Sequence, residues 1–318
     1  MKITIGYNSF GNKFTDDLKS AFPEIIFDLA DSEDECRKSI VDSDVFFGWP
    51  SRETFRSAKK LKWVHCPGTG IDRFADIPEL IASDVVVTNA RGPHTEPMAD
   101  HVFAFILDLA HLMRVQYEEQ KAHMWDAKKY RGQIQDLNGT TMGILSLGGI
   151  GIAVARRARA FGMKIYAVDI NPVQTPDGVE DVWGLDRLDE LIRISDWFVV
   201  TSPITPDTRQ LIDSRRVGLF KPTAHLIIIS RGGIVDEAAM TDALVCGKIA
   251  GAGIDAFDVE PLDNASPLWD MPNVIISPHV SAESKGMLEG RKQIFKDNLR
   301  RYINGDTLEY ICDKEAGY

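Results

Sequence analysis

Cysteine and long apolar runs are both scarce in this chain. Its four cysteines, Cys36, Cys66, Cys246 and Cys312, are scattered and form no C-x-x-C pair. We therefore expect free thiols in a reducing compartment. No apolar run is long enough to span a membrane, and the opening residues MKITIGYNSFG lack the long apolar core of a signal peptide. These absences favour a cytoplasmic protein with no membrane partner.

Basic residues are few as well. The chain has 36 Lys and Arg against 47 Asp and Glu, and its formal net charge is −11 at pH 7. This balance argues against nonspecific binding of nucleic acid, but a local site on an acidic protein can still be positive and bind a small anion. We predict no metal site, because no common ligand spacing links the remaining histidines, His65, His94, His101, His111, His123 and His225.

Short apolar runs alternate with helix-compatible stretches along most of the 318 residues. This alternation predicts parallel sheets with helices on both faces, an α/β protein of two domains. One such unit runs from Lys2 to Thr88, and about six further strands follow from Met142 onward. The segment Glu283–Ile303 is predicted to be an amphipathic helix.

The stretch Met142–Asp169 reads as a strand, a glycine turn, a helix, a second strand and an acid. Glycines at 148, 149 and 151 let backbone N–H groups approach a pyrophosphate, and the acid is placed to bind a ribose diol. The order predicts dinucleotide binding, although an ordinary βαβ unit with a tight turn is the alternative. Ser146 replaces the first glycine of the fingerprint G-x-G-x-x-G, so we expect a negative φ there.

A long helix is predicted from about Glu96 to Lys121. Its first half, Met98–Met113, is apolar on nearly every side. A helix of that kind must be covered all round, so we expect a homodimer interface through it, with Phe103 and Leu107 facing outward. The alternative is a central helix within one domain.

Three polar stretches follow predicted strands of the second unit, namely Ser230–Gly233, Asp255–Pro261 and Ser277–His279. The carboxyl ends of parallel strands open onto one crevice, so an Arg, a carboxylate and a His should meet there. The Arg can clamp a carboxylate or a carbonyl oxygen, the His can exchange a proton near neutral pH, and the carboxylate can orient the His.

These motifs resemble the D-isomer-specific 2-hydroxyacid dehydrogenase family over essentially the whole chain. The matching pieces are PGTGID, NARGPHTEPMADH, GILSLGGIG, TSPITPDT, SRGGIVDE, GAGIDAFDVEPL and SPHVSA. The ending, with SPLW and AGY, looks most like the glyoxylate/hydroxypyruvate reductase branch, and no regulatory extension is expected after Tyr318.

The resemblance implies a flavodoxin-like substrate domain, residues 1–92 plus 283–318, and an inserted Rossmann NAD-binding domain, residues 93–282, with a cleft between them. It implies Arg231, Glu260 and His279 as catalytic residues. The residues implied for the cofactor are Ser146, Gly148, Gly149, Ile150, Gly151, Asp169, Thr201, Ser202, Pro203, Thr208, Ser230, Asp255, His279 and Ser281. Those expected for the substrate are Trp49, Gly68, Thr69, Gly70, Arg91, Arg231 and Trp269.

The function expected is the NAD(H)-dependent interconversion of a small 2-keto acid and its D-2-hydroxy acid. Asp169 should repel a 2′-phosphate, and Ile170-Asn171-Pro172 offers no cation to bind one. A phosphoglycerate or phosphite dehydrogenase-like enzyme is an alternative, and a non-enzymatic NADH-sensing corepressor or scaffold is another. Glu260 argues against the formate dehydrogenase branch, where a Gln is expected.

Overall fold

A computed structural model describes residues 1–7, 10–171 and 174–317. The chain forms two compact units, Met1–Pro93 with Ser284–Tyr318, and His94–Glu283. The second unit is therefore one continuous segment inserted into the first. Among the described residues, no helix is both long and apolar enough to span a membrane.

The first unit has a parallel five-stranded sheet in the order β2-β1-β3-β4-β5. Its strands are β1 (Lys2–Ile5), β2 (Ile26–Leu29), β3 (Val45–Phe47), β4 (Trp63–His65) and β5 (Val86–Thr88). The helices between them are α1 (Gly11–Ala21), α2 (Glu33–Ser39), α3 (Arg52–Ser57) and α4 (Pro78–Ile81). Ser32 and Ser51 cap α2 and α3 by accepting the N–H groups of Glu35 and Thr54. This strand order is the flavodoxin-like one.

The second unit has a parallel seven-stranded sheet in the order β12-β11-β10-β9-β6-β7-β8. Its strands are β6 (Thr141–Leu145), β7 (Lys164–Val168), β8 (Asp181–Trp183), β9 (Trp197–Val200), β10 (His225–Ile228), β11 (Gly251–Ile254) and β12 (Val274–Ile276). Its helices are α5 (Thr95–His111), α6 (Met113–Lys121), α7 (Gly149–Ala160), α8 (Leu188–Ile194), α9 (Ser214–Val217) and α10 (Glu237–Val245). The order reverses between β6 and β9, which is where an open α/β sheet binds ligands.

The last helix, α11 (Lys285–Asn304), belongs to the first unit. Ser284 caps it by accepting the N–H of Met287. Its Phe295 is fully buried, with its ring centroid 4.4 Å from that of Phe47 and 5.6 Å from that of Trp63. Helix α11, near the end of the chain, therefore completes the hydrophobic core of the first unit.

The predicted helix 96–121 is broken in two. Leu112 adopts φ 55 and ψ 37, a left-handed conformation that ends α5 and starts α6. Most apolar residues of α5 are buried within this one chain: Phe103 is stacked on Phe161 at 5.0 Å, and the partly buried Leu107 packs on the same core. The expectation that Phe103 faces outward to a second subunit is therefore wrong, and most of α5 is the intradomain helix of the alternative.

Candidate active site

In the glycine turn after β6, the backbone conformation of Ser146 differs from the prediction. Ser146 adopts φ 77, so the expected negative φ is wrong. Its N–H donates to Val168 O at 2.8 Å, and its own carbonyl accepts Thr201 Oγ1 at 2.6 Å. These contacts come from the last residue of β7 and the residue after β9, and they hold Ser146 in a conformation that favours glycine.

The later glycines of the fingerprint serve the helix that follows. A methyl group on Gly151 would lie 2.4 Å from Ser146 O, so only glycine permits this close contact between α7 and the turn. Gly148 and Gly149 are exposed, and none of the residues that the structure describes lies within 4 Å of a methyl group placed on Gly148. Together with Ile150 they form the start of the twelve-residue helix α7, whose backbone N–H groups can receive an anion.

Asp169 follows β7 and turns its carboxylate toward this loop. Oδ2 accepts Leu147 N–H at 2.7 Å and the Ser146 hydroxyl at 3.2 Å, and Oδ1 accepts Asn171 N–H at 3.0 Å. Neither Ile170 nor Asn171 carries a positive charge, and Pro172 lies outside the described residues. The acid is therefore held at the end of the turn.

Two hydroxyl groups at the neighbouring strand ends have no hydrogen-bond partner in the part of the chain that the structure describes. Ser202 follows β9 and Ser230 follows β10, and both residues are buried. Neither Oγ has a hydrogen-bond partner among the described residues. Beside them Pro203 O accepts the hydroxyl of Thr208 at 2.8 Å, which folds the loop after β9 on itself. Buried hydroxyls without partners at a sheet switch point fit a polar ligand such as a dinucleotide.

His279 and Glu260 form a pair. His279 Nδ1 lies 2.9 Å from Glu260 Oε2 and 3.0 Å from Oε1. Glu260 Oε1 also accepts Phe257 N–H at 3.0 Å, so the carboxylate is fixed by its own loop. The other ring nitrogen of His279, Nε2, is thereby the one directed to chemistry, since a carboxylate at Nδ1 sets the tautomer.

Asp255 holds the histidine loop in place. Its fully buried carboxylate accepts the hydroxyl of Ser277, Val280 N–H at 2.9 Å and Ser281 N–H at 2.9 Å. These three donors flank His279, which adopts φ 54. Both carboxylate oxygens are thus engaged in the loop, a role that the motif does not reveal.

His101 on α5 is a residue that the sequence reasoning missed. Its Nε2 lies 2.9 Å from Ser277 Oγ, which in turn donates to Asp255. Burial lowers the pKa of His101, and the charge of Asp255 opposes that effect. The position of His101 in an apolar helix does not predict this contact, because Ser277 is far away in sequence.

Arg231 lies on a loop that is packed against the loop of Glu260. A methyl group on Gly232 would come within 2.0 Å of Phe257 O. Gly233 N–H donates to Asp258 Oδ1 at 2.6 Å, and Asp258 N–H donates to Glu237 Oε2 at 2.9 Å. Burial raises the pKa of Glu237. Asp258 and Glu237, which the sequence reasoning also missed, brace the two loops that carry the arginine and the glutamate.

The residues expected to bind substrate from the first unit lie on the loops after β3, β4 and β5. Gly68 packs so closely on Trp49 that a methyl group would lie 2.8 Å from its Cζ2. Thr69 O accepts Asn89 Nδ2 at 2.8 Å, and Gly70 O lies 3.5 Å from Cys66 Sγ. Arg91 Nη2 donates to Ile311 O at 3.1 Å.

Trp269 belongs to the second unit, where its Nε1 donates to Asp263 O at 2.9 Å. Among the described residues there is no group of three or more His, Cys, Asp or Glu side chains that could hold a metal ion.

Comparison with known proteins gives a consistent picture. A sequence model described as "D-isomer specific 2-hydroxyacid dehydrogenase, NAD binding domain" matches residues 103–281. The chain is 33% identical to the glyoxylate reductase of Thermococcus kodakarensis over 272 residues, which are 83% of this chain and 80% of that one. It is 35% identical over 274 residues to the D-3-phosphoglycerate dehydrogenase of Bacillus subtilis, covering 84% of this chain but 50% of that enzyme.

Solved structures agree in fold. A D-isomer specific 2-hydroxyacid dehydrogenase family protein from Aeromonas salmonicida is 29% identical, with a TM-score of 0.84 over 98% of both chains. A second family member, from Xanthobacter autotrophicus in complex with NADPH and MES, is 27% identical, with a TM-score of 0.83 over 99% of this chain and 100% of that one. The chain therefore belongs to the D-isomer specific 2-hydroxyacid dehydrogenase family, as its motifs predict, and is an oxidoreductase with an NAD-binding domain.

Proposed function

We propose that this enzyme uses NAD(H) to interconvert a small 2-keto acid, such as glyoxylate or hydroxypyruvate, and the 2-hydroxy acid, of D configuration where it is chiral. The observation that carries the proposal is the His279–Glu260 pair, with both carboxylate oxygens within 3.0 Å of Nδ1. The glyoxylate reductases among the relatives support this substrate class.

His279 is the acid/base of the proposed reaction. Glu260 holds Nδ1–H, so Nε2–H donates its proton to the carbonyl oxygen during reduction and takes it back during oxidation. The carboxylate also stabilises the imidazolium that oxidation leaves behind. The bracing of the 277–281 loop by Asp255 keeps the ring in position for both directions.

Arg231 binds the negative charge of the substrate. Its guanidinium donates to the substrate carboxylate and to the carbonyl oxygen, where charge develops in the transition state. The loop of Arg231 is fixed by the Gly233–Asp258 hydrogen bond, so the charge is oriented before substrate arrives. We further propose that the first unit is the substrate-binding domain and that Thr69 and Gly70 belong to its substrate site.

The residues present fit a nicotinamide dinucleotide. Gly148, Gly149 and Ile150 would hold the pyrophosphate, and Asp169 would hold the adenosine ribose. The hydroxyls of Ser202 and Ser230, which have no partner among the described residues, would bind polar groups of the dinucleotide. When bound, the nicotinamide supplies the hydride acceptor or donor. We propose NAD(H) over NADP(H), because Asp169 repels a 2′-phosphate, although a solved neighbour binds NADPH.

The proposal is tested by following NADH and NADPH consumption over a panel of glyoxylate, hydroxypyruvate, pyruvate and 3-phosphohydroxypyruvate. We expect the highest kcat/KM with NADH and one of the first two acids.

His279→Ala should lower kcat/KM by about 10²- to 10⁴-fold, whereas the exposed His111→Ala is the matched control and should leave it unchanged. Near-normal turnover by His279→Ala would overturn the acid/base assignment. A preference for the phosphorylated acid would support a phosphoglycerate dehydrogenase instead.

We also propose a homodimer, but through a different surface from α5. Residues 112–134, here called the exposed arm, leave the core at Leu112 and return before Gln135, whose N–H donates to Ala110 O at 2.9 Å. None of the residues of α6 is buried, and Trp125 is 96% exposed. Arg114 anchors the arm by donating to Met271 O at 3.0 Å. An ordered arm with exposed apolar side chains fits a second copy of the chain.

A further inference from the structure

Ser146 occupies a backbone conformation that normally favours glycine. Its φ of 77 places it in the left-handed region. This conformation destabilises the protein when the residue has a side chain, whereas a glycine adopts it without that cost. Both of its backbone groups are held by neighbouring strands, through Val168 O and Thr201 Oγ1. A glycine would satisfy both contacts equally well, so the backbone gives no reason for a serine here.

The side chain gives that reason. The Ser146 hydroxyl lies 3.2 Å from Asp169 Oδ2, the same oxygen that accepts Leu147 N–H. With Asn171 N–H on Oδ1, three donors from two loops fix this carboxylate. Two of them are backbone groups that any sequence would supply, and the third exists only because residue 146 is not glycine.

The pair also offers more acceptors than the carboxylate alone. A hydroxyl that donates to Asp169 still has lone pairs with which to accept a hydrogen bond. Ser146 and Asp169 together can therefore accept from both hydroxyls of a vicinal diol. A 2′-phosphate has few protons to donate near pH 7, and it would meet the fixed negative charge of Asp169 instead.

We propose that Ser146 is a cofactor-selectivity residue, whose hydroxyl holds the Asp169 carboxylate in place and shares with it the recognition of a ribose diol. The inference rests on the proposed NAD(H) dependence and assigns part of that preference to a side chain that the glycine fingerprint does not contain.

Two variants separate the hydroxyl from the backbone strain. Ser146→Gly removes both, whereas Ser146→Ala removes the hydroxyl and keeps the strained Cβ. We expect Ser146→Gly to raise Tm by about 2 °C and Ser146→Ala not to raise it. Both variants should raise the Kd for NADH about tenfold, as expected for the loss of a hydrogen bond to a charged group. Kd is measured by nucleotide fluorescence, without turnover. The Kd for NADPH divided by the Kd for NADH should be smaller in both variants than in the wild type.

Equal NADH binding by the wild type and both variants would make Ser146 a turn residue only and overturn the inference. Weaker binding by Ser146→Gly alone would assign the effect to loop flexibility and overturn it too. A wild type that binds neither nucleotide would instead overturn the proposed function, and the inference with it. Asp169→Asn is the reference variant. It should also lower the ratio of the Kd for NADPH to the Kd for NADH, and that result would support selection by this carboxylate.

Discussion

At the scale of single residues, two buried histidines lie far from water. His65 lies 2.8 Å from Thr88 Oγ1 through Nδ1 and is stacked on Phe47 at 5.5 Å. His225 is stacked on Trp197 at 4.3 Å. Burial lowers the pKa of His65 to about 3 and that of His225 to about 4. Both are therefore neutral in the folded protein near pH 7.

This burial predicts a loss of stability in mild acid. The unfolded chain binds protons at these histidines below about pH 6.5 and the native state does not, so stability is full above that pH. It falls as the pH drops toward the folded values of about 4 and 3. Each histidine contributes a slope of about 1.4 kcal/mol per pH unit.

The measurement is the free energy of unfolding in urea between pH 7 and pH 5, a window above the usual carboxylate range. The His65→Gln side chain cannot titrate, so the free energy of unfolding should depend less steeply on pH in this variant. The contribution of His225 to that slope should remain. A slope that is the same in this variant and in the wild type would show that His65 is protonated in the native state.

The sequence suffices to propose residues for the chemistry but not to say how each is held. Arg231, Glu260 and His279 follow successive strands, and that alone predicted a shared edge. The φ of Ser146 depends on Val168 and Thr201, which approach it only in the folded sheet. For the same reason the engagement of Asp255 by its own loop could not be predicted from the motif.

At the scale of elements, α5 lies directly on β11 because that strand has little side-chain bulk. A methyl group on Gly253 would lie 2.6 Å from Phe105 Cδ2, and one on Gly251 would lie 3.4 Å from Leu109 Cδ2. The aromatic ring of the helix thus fills the space that the glycine leaves.

We predict that Gly253→Ala destabilises the protein by about 1–3 kcal/mol, because Phe105 cannot move without disturbing a packed core. Gly286→Ala in α11 is the matched control. No described residue lies within 4 Å of a methyl group there, so the change should stabilise the helix by about 0.4–1 kcal/mol. Denaturant unfolding of both variants checks the pair, and equal stabilities would contradict the packing argument.

The apolar pattern predicted α5 but misplaced what covers it. Periodicity shows that a helix is buried on several sides, yet it cannot show whether a sheet of the same chain or a second chain does the covering. Likewise, β8 was not predicted, because Asp181–Trp183 is short and begins with an acid. The break at Leu112 had no glycine or proline to mark it.

At the scale of the whole molecule, the exposed arm predicts how copies associate. Trp125→Asp should shift the protein toward monomer in light scattering, because a charge replaces the most exposed large apolar side chain of the arm. Ile26→Asp is the control, since Ile26 is 64% exposed on an edge strand of the other unit. A wild type that is already monomeric, or a dimer that survives the change at Trp125, would contradict the proposal.

The place of α11 has a consequence for how the chain is made. Phe47 and Trp63 emerge early from the ribosome, but Phe295, which packs on both, is synthesised after the entire inserted unit. The inserted segment holds all seven strands of its own sheet and can complete its fold in the meantime. The apolar rings of the amino-terminal unit therefore remain uncovered until α11 has been synthesised.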